Sequence, residues 1–285
     1  MSLVRHPGVN PQCPSCHGAD LVVRRDGERA RAELCQCVRL PCPRCKGLGM
    51  VTAGEAWRAP VQRCTCQRVM ARIHAFNESG IPARHADSTL LTFRDTTSSS
   101  LTMVKAKVSR YLADYEPGGG DNRGLILYGQ VGTGKTHLLA AMVRSLILRR
   151  GTRSRFVEFS HLLADLKTGF DHGRGAAALL DPLVHVPVLA IDELGKGRNT
   201  EFEAMVVDEL VSRRYNAALP ILASTNFSPG PATGSMTGNQ ASADSRPALA
   251  DRLGDRVYSR LREMCDFVPV KGQDYRETKR RLRRA

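Results

Sequence analysis

The sequence predicts an α/β protein: a parallel-sheet core organised around a phosphate-binding loop, preceded by a cysteine-rich module of the zinc-ribbon kind. Three observations predict it. Eight of the nine cysteines fall between positions 13 and 66 in a doubled pattern. Beyond position 120, short apolar runs alternate with helical periodicities, which is the signature of a parallel sheet covered on both faces. One of those runs leads directly into a glycine-rich stretch that ends in a lysine at a helix start.

The cysteines come first in the chain. Cys13 and Cys16 form a CPxC turn, and eighteen residues later Cys35 and Cys37 form a CxC pair. Cys42 and Cys45, then Cys64 and Cys66, repeat the pattern at an offset of 29 positions throughout. Where disulfides are rare, such spacing points to metal. A CPxC turn converges two thiolates on one ion, and the later pair closes a tetrahedral four-sulfur shell around Zn²⁺. Two closed, structural zinc ions are therefore expected, with metal binding folding each unit. Between the pairs, residues 21–27 read as a strand and an Asp-Gly turn. Two ligand pairings fit. The repeat favours pairing unit by unit. The nested alternative groups Cys13, Cys16, Cys64 and Cys66 around one ion and Cys35, Cys37, Cys42 and Cys45 around the other. Residues 42–49 resemble one CxxCxGxG unit of the DnaJ zinc region, where pairing is nested. Cys265 reads as a small core residue at an apolar helix end.

Charge follows the same division. The formal net charge is +14. Residues 1–72 hold twelve basic and five acidic residues, residues 271–285 seven and two, and the stretch between is nearly neutral. Basic ends on a neutral middle suggest surfaces that meet a polyanion, nucleic acid being the usual one. No apolar run approaches the roughly 20 residues that cross a bilayer, and the first ten residues carry no secretory core, so a cytoplasmic protein without membrane contact is expected. The expected domains are a zinc module at 1–72, a helix and linker at 73–100, and the phosphate-loop domain at 101–285. The last includes a mobile-looking loop at 228–247, rich in Gly, Ser, Pro and Ala, and a basic tail at 271–285.

Element by element, residues 67–79 suit a helix ending at Gly80, and residues 101–116 a helix stopped by Pro117 and three glycines. Strands are expected at 124–128, 155–159, 186–191 and 220–224. Helices are expected at 135–150, after a Ser160 cap, at 200–216 and at 248–264. The chemistry lies where strands end. Gly129, Gln130, Val131, Gly132, Thr133, Gly134, Lys135 and Thr136 fit GxxxxGK[ST] after a strand and before a helix, the context the motif requires. Glycines let backbone N–H groups curl around phosphate at a helix N-terminus. Lys135 suits the β- and γ-phosphates, Thr136 the Mg²⁺, and the nucleotide-binding stretch is taken through His137. The run 188–191 delivers Asp192 and Glu193 to a strand's C-terminal edge: Asp192 for Mg²⁺, Glu193 as general base for the attacking water. Asn226, ending the next strand, suits orientation of that water or a turn cap. Arg256 and Arg260 share a helix face; Arg262 does not.

Residues 80–85, the phosphate loop, the run 191–195, Arg213-Arg-Tyr215, Ser224-Thr-Asn226, residues 255–262 and residues 272–276 together resemble the DnaC/DnaI/IstB family of AAA+ ATPases over about residues 78–280. The resemblance implies ATP binding and hydrolysis, self-association through the AAA+ domain, and a partner that is a replicative DNA helicase or a transposase. For a replication accessory protein, contact with single-stranded DNA through its phosphates is expected. It places Arg260 at the family's arginine finger and Arg276 at a second phosphate-sensing arginine. The doubled CPxC and CxC array departs from that family. The stretch 195–200 is also more basic than the family pattern suggests.

Overall fold

The computed structural model describes residues 4–54, 59–93, 99–119, 122–171, 176–230 and 247–275. Contacts divide the chain into two compact units, Met1–Asp87 with Arg144–Arg153, and Ser88–Val143 with Ser154–Ala285. Among the described residues no helix is long and apolar enough to cross a membrane.

The first unit is built from the repeat. Strand β1 (Leu21–Asp26) pairs antiparallel with β2 (Arg29–Leu34), and β3 (Met50–Thr52) with β4 (Val61–Arg63). Hydrogen bonds recur at the sequence offset. His17 N–H donates to Cys13 C=O at 2.8 Å, and Lys46 N–H to Cys42 C=O at 2.7 Å. Cys35 N–H donates to Asp20 C=O and Cys64 N–H to Gly49 C=O, both at 2.8 Å. His17 and Lys46 share a left-handed backbone (φ 48° and 51°) that reverses the chain inside each ligand turn. Helix α1 (Thr65–Glu78) starts two residues before the expected position, so Cys64 caps it and Cys66 lies in its first turn. Its stripe of Cys66, Val69, Ile73 and Phe76 is buried at helical spacing. Asn77 Nδ2 and Oδ1 bond both backbone groups of Ala32.

The second unit carries helix α2 (Ser99–Asp114), β5 (Gly124–Tyr128), α3 (Lys135–Ser145), β6 (Ser154–Glu158), α4 (Phe159–Asp171), α5 (Ala176–His185), β7 (Val188–Asp192), α6 (Glu201–Asn216), β8 (Ile221–Thr225), α7 (Leu249–Leu253), α8 (Asp255–Met264) and β9 (Cys265–Pro269). The strands form one sheet in the order β6-β7-β8-β5-β9, every pair parallel. Strand β8 thus lies between the strand leading to the phosphate loop and the strand carrying the acidic pair. All three open their C-terminal ends on one edge, where ligands gather in such sheets.

Several expectations are corrected. The helix expected at 135–150 ends at Ser145 and continues as a wider π-type turn, Leu146–Arg150, closed by Gly151 at φ 72°. Phe159 already belongs to α4, and Ser160 Oγ donates to Glu158 Oε1 at 2.9 Å instead of capping. The helix expected at 248–264 is broken by Gly254 (φ 78°), a conformation open to glycine. Cys265 caps the end of α8, as expected, and also opens β9, fully buried against Gly124 and the Ile221 carbonyl. Most of the loop at 228–247 and of the tail at 271–285 lies outside the described residues.

Candidate functional site

The phosphate loop leaves β5 and enters α3. Gly132 and Gly134 hold φ values of 83° and 93°, which turn successive N–H groups toward one centre. Val131 stands exposed at the crown. Thr133 Oγ1 donates to Gln130 C=O at 2.9 Å, tightening the turn. Lys135, buried, donates from Nζ to the carbonyls of Gly129 (2.8 Å) and Gln130 (2.6 Å). The ammonium is therefore seated inside the loop where phosphate oxygens would compete for it.

Across β8 stands the acidic pair. Thr136 Oγ1 donates to Asp192 Oδ1 at 3.0 Å, and Ser224 Oγ donates to the same oxygen. Burial pushes the Asp192 carboxyl above the usual carboxylate range, opposed by those two hydroxyl donors. A hydroxyl and a carboxylate side by side, both oxygen donors, fit Mg²⁺. Ser224 also accepts from Glu193 N–H at 3.1 Å, so one hydroxyl on β8 fixes both members of the pair. Glu193 sits at φ 57°, a strained setting for a side-chain-bearing residue, and its Oε2 meets Lys196 Nζ at 2.5 Å. That contact raises the Lys196 pKa. Arg252, on α7, holds the loop carrying Lys196 by donating to Gly195 C=O at 3.0 Å and to Gly197 C=O. Glu203 accepts from the N–H groups of Arg198 and Asn199.

Two further segments border the loop: residues 88–93, which the sequence did not assign to the site, and residues 274–275, which directly precede Arg276. Phe93 lies where a side chain at Gly134 would stand. Near it, His137 Nε2 bonds Thr89 C=O at 2.9 Å and Nδ1 meets Ser88 Oγ at 3.3 Å. Burial lowers the His137 pKa, against the Thr89 bond. On the opposite side, Tyr275 N–H donates to Gly132 C=O at 3.1 Å, and the Asp274 carboxyl abuts Gly132. Arg276 follows directly in sequence and lies outside the described residues.

Asn226 follows β8 half-buried, and no side-chain hydrogen bond joins it to the acidic pair among the described residues. Arg260 stands elsewhere. Its Nη1 donates to Asp208 Oδ1 at 3.0 Å and to Ser212 Oγ, and its guanidinium lies 5.9 Å from the Tyr215 ring centroid. All three partners lie on α6, and Arg256 Nε reaches the same Asp208 oxygen at 3.5 Å. Arg214, from the quoted Arg213-Arg-Tyr215 run, is wholly buried. It donates to the carbonyls of Leu183, Val184, Val186 and Pro220 at 2.7–3.1 Å, tying the end of α5 to the starts of β7 and β8. Burial lowers its pKa to about 10.

The cysteines group unit by unit. The sulfurs of Cys13, Cys16, Cys35 and Cys37 lie within 4.8 Å of one another, as do those of Cys42, Cys45, Cys64 and Cys66. Sγ–Sγ separations are 3.7 Å (Cys13–Cys35), 3.6 Å (Cys16–Cys37), 3.9 Å (Cys42–Cys64) and 3.6 Å (Cys45–Cys66). A tetrahedron with Zn–S bonds of about 2.3 Å has edges of about 3.8 Å. Both quartets therefore fit zinc, and the nested pairing is set aside.

A phosphate loop opening a helix, an Asp-Glu pair at a parallel strand's end and a polar strand between them define an ATP-binding core of the AAA+ class. Residues 119–283 match the family model described as IstB-like ATP binding protein, and the chain belongs to that family. It is 26% identical over 196 residues to the replicative helicase loader DnaC of Escherichia coli K12, covering 68% of this chain and 71% of that one. It is 30% identical over 159 residues to a putative ATP-binding protein in an insertion sequence of Mycobacterium tuberculosis, covering 55% and 57%. A crystal structure of the DnaC helicase loader superposes with a TM-score of 0.55 at 27% identity, covering 66% of this chain and 99% of that one.

Proposed function

We propose that the chain is an ATP-hydrolysing DNA-replication accessory protein that loads a replicative helicase. The observation that carries the reading is the shared-oxygen arrangement at Asp192, where hydroxyls from the phosphate loop (Thr136) and from β8 (Ser224) converge on one carboxylate beside Glu193. The likeness to DnaC over two thirds of the chain supports the helicase as partner.

In this reading the N–H groups of the loop and Lys135 hold the β- and γ-phosphates, and Thr136 and Asp192 hold Mg²⁺, which when bound offsets phosphate charge. Glu193 takes the proton of the attacking water, and Asn226 orients that water. Arg260 completes a neighbouring copy's site after leaving Asp208. Arg276 senses the phosphates, the two zinc ions hold the N-terminal ribbons in shape, and basic surfaces contact single-stranded DNA. A second reading, an ATPase helper of a transposase, draws on the insertion-sequence relative.

The test uses Glu193→Gln, with phosphate release and co-purifying proteins as readouts. Turnover should fall by about 10²–10⁴-fold while ATP still binds, and the trapped partner should be the replicative helicase. Recovery of a transposase would select the second reading. Unchanged turnover would remove Glu193 as the base and overturn the assignment.

A further inference from the structure

The two zinc units share a frame and differ in surface. Position for position at the offset of 29, Asn10, Ser15, His17 and Leu34 of the first correspond to Arg39, Arg44, Lys46 and Arg63 of the second. Asp20 and Glu33 correspond to Gly49 and Gln62, and Pro11, Ala19 and Ala32 to Leu40, Leu48 and Val61. Residues 13–37 carry four basic and four acidic residues; residues 42–66 carry four basic and one acidic.

The structure shows what became of each surface. All four cations of the first ribbon are engaged. Arg24 pairs with Glu33 and Arg31 with Asp26, each at 2.9 Å; Arg25 meets Asp87 at 3.4 Å; Arg29 donates to Gly80 C=O at 2.6 Å. The edge of β2 is also covered, since Ala30 N–H donates to Ile81 C=O and Ala32 is bonded by Asn77, and both alanines are buried. The second ribbon has none of this. Register places Met50 opposite Arg63 and Thr52 opposite Val61 on one face. That face is open: Met50 and Val61 are 43% and 63% exposed, and Leu48 in the adjoining turn is 82% exposed. Val51, on the opposite face, packs against the thiol quartet. Arg44, Lys46 and Arg63 are exposed and make no ion pair among the described residues, and no acidic residue occurs among the described residues from 39 to 72.

We infer that the open face of the second zinc ribbon is a single-stranded nucleic-acid contact site, with Arg44, Lys46 and Arg63 on phosphates and Leu48, Met50 and Val61 against sugars and unpaired bases. The inference rests on the proposed DNA contact and gives it a location. A full-length run of unopposed cations matches a polyanion, and counterion release supplies the affinity. Exposed apolar side chains between cations give bases a surface to lie on, which duplex DNA does not offer to a ribbon this small. The first ribbon, with three of its four cations ion-paired, the fourth hydrogen-bonded to a carbonyl and its edge covered, is the structural half of the pair.

The test is fluorescence anisotropy of a labelled thirty-nucleotide oligo-dT with the full, zinc-loaded chain and no nucleotide, titrated across salt. Arg44→Gln/Lys46→Gln/Arg63→Gln should lower the slope of log affinity against log salt by about 2, since each single-strand phosphate contact accounts for about 0.7. Affinity at low salt should fall at least tenfold. The control, Arg24→Gln/Arg25→Gln/Arg31→Gln, removes the same charge from the first ribbon and should leave slope and affinity unchanged. Zinc content of two ions per chain and an unaltered circular dichroism spectrum qualify both variants as folded. The proposal is overturned if the second-ribbon variant keeps its slope, if both variants lose it equally, or if wild type prefers duplex to single strand. It is overturned too if that variant keeps oligonucleotide affinity but no longer captures the helicase, since the face would then be a protein-docking surface. ATP binding by the same samples, measured separately, tells failure of this site from failure of the ATPase reading.

Discussion

The two units hold their shape by different means. Around the first thiol quartet the buried apolar company is Val38, with Val9, Val22 and Leu34 half-covered; around the second it is Val51 alone, itself half-covered. Patches this small contribute little of their own. In the second unit, β5, β7 and β8 are buried along nearly their whole length, and α4 to α8 place leucines and valines on them. Each such side chain adds about 1.5–3 kcal/mol by leaving water. The ribbons of the first unit lean on the thiol quartets, beside a helix α1 that buries Val69, Ile73 and Phe76; the sheet unit needs only its own side chains. Nearly the same contrast separates frame from chemistry, because the metal units present surfaces while the sheet edge presents a reaction site.

The strongest way to break that contrast is to remove the zinc. Structural zinc in comparable small sites contributes on the order of 10–16 kcal/mol of folding free energy. A tight chelator, or Cys45→Ser with Cys66→Ser, should make residues 1–72 protease-sensitive while the second unit stays resistant and still binds ATP. Limited proteolysis with mass mapping reads this directly. Persistence of an intact N-terminal fragment after complete zinc loss would show that side chains, not metal, hold the ribbons.

The next largest effect belongs to Arg214. Removing its guanidinium strands four carbonyls that no water reaches. Arg214→Met should therefore cost about 2–3 kcal/mol or more, since a buried acceptor left without its donor costs about 1–3 kcal/mol, seen as a lower urea midpoint for the sheet unit with zinc content unchanged. A loss below about 1 kcal/mol would mean that the carbonyls find other donors. A smaller, kinetic effect is expected from Lys196→Ala. An exposed ion pair contributes about 0–1 kcal/mol, so freeing Glu193 should raise basal phosphate release by up to about fivefold. Unchanged or lower turnover would show that Lys196 does not restrain Glu193, the proposed general base.

The parts of this molecule legible in the sequence are those whose residues sit close together along the chain. The CPxC and CxC pairs, the phosphate loop and the Asp192-Glu193 strand end are local, and their spacing dictates their geometry. The parts that were not legible depend on remote segments meeting. Ser224 is an ordinary strand serine until β8 is known to lie between β5 and β7. Asp274 and Phe93 flank the phosphate loop from positions far away in sequence. The Asp208 partner of Arg260 needs α6 and α8 to be packed together. Strand β9 has no counterpart among the strands expected from the sequence, because five residues directly after a helix, with Asp266 among them, carry no strand pattern of their own. Only pairing with β5, register Gly124 to Cys265, makes it a strand.

Cys265 offers the finest test of the two-unit contrast, since it is the one cysteine in the unit that owes nothing to metal. Burial pushes its thiol up to about 12 from an ordinary 9.0, so at pH 9 it is both inaccessible and protonated, and the thiolate is the reactive form. The other eight lie in the two quartets that fit zinc, and the expectation is that metal alone shields them. With a thiol reagent at pH 9, the zinc-loaded chain should show almost no fast reaction, chelator should release eight fast equivalents, and the ninth should appear only at the urea concentration that unfolds the sheet. The sign of the linked pH effect follows: unfolding frees a thiol that ionises near 9, so this group's contribution to stability is full below pH 9 and is lost as pH rises toward 12. Cys265→Ala should flatten the stability decline of the sheet unit over that interval relative to wild type. Nine equivalents reacting together on chelation would mean that the sheet opens with the ribbons, and the two units would then have to be treated as one cooperative structure.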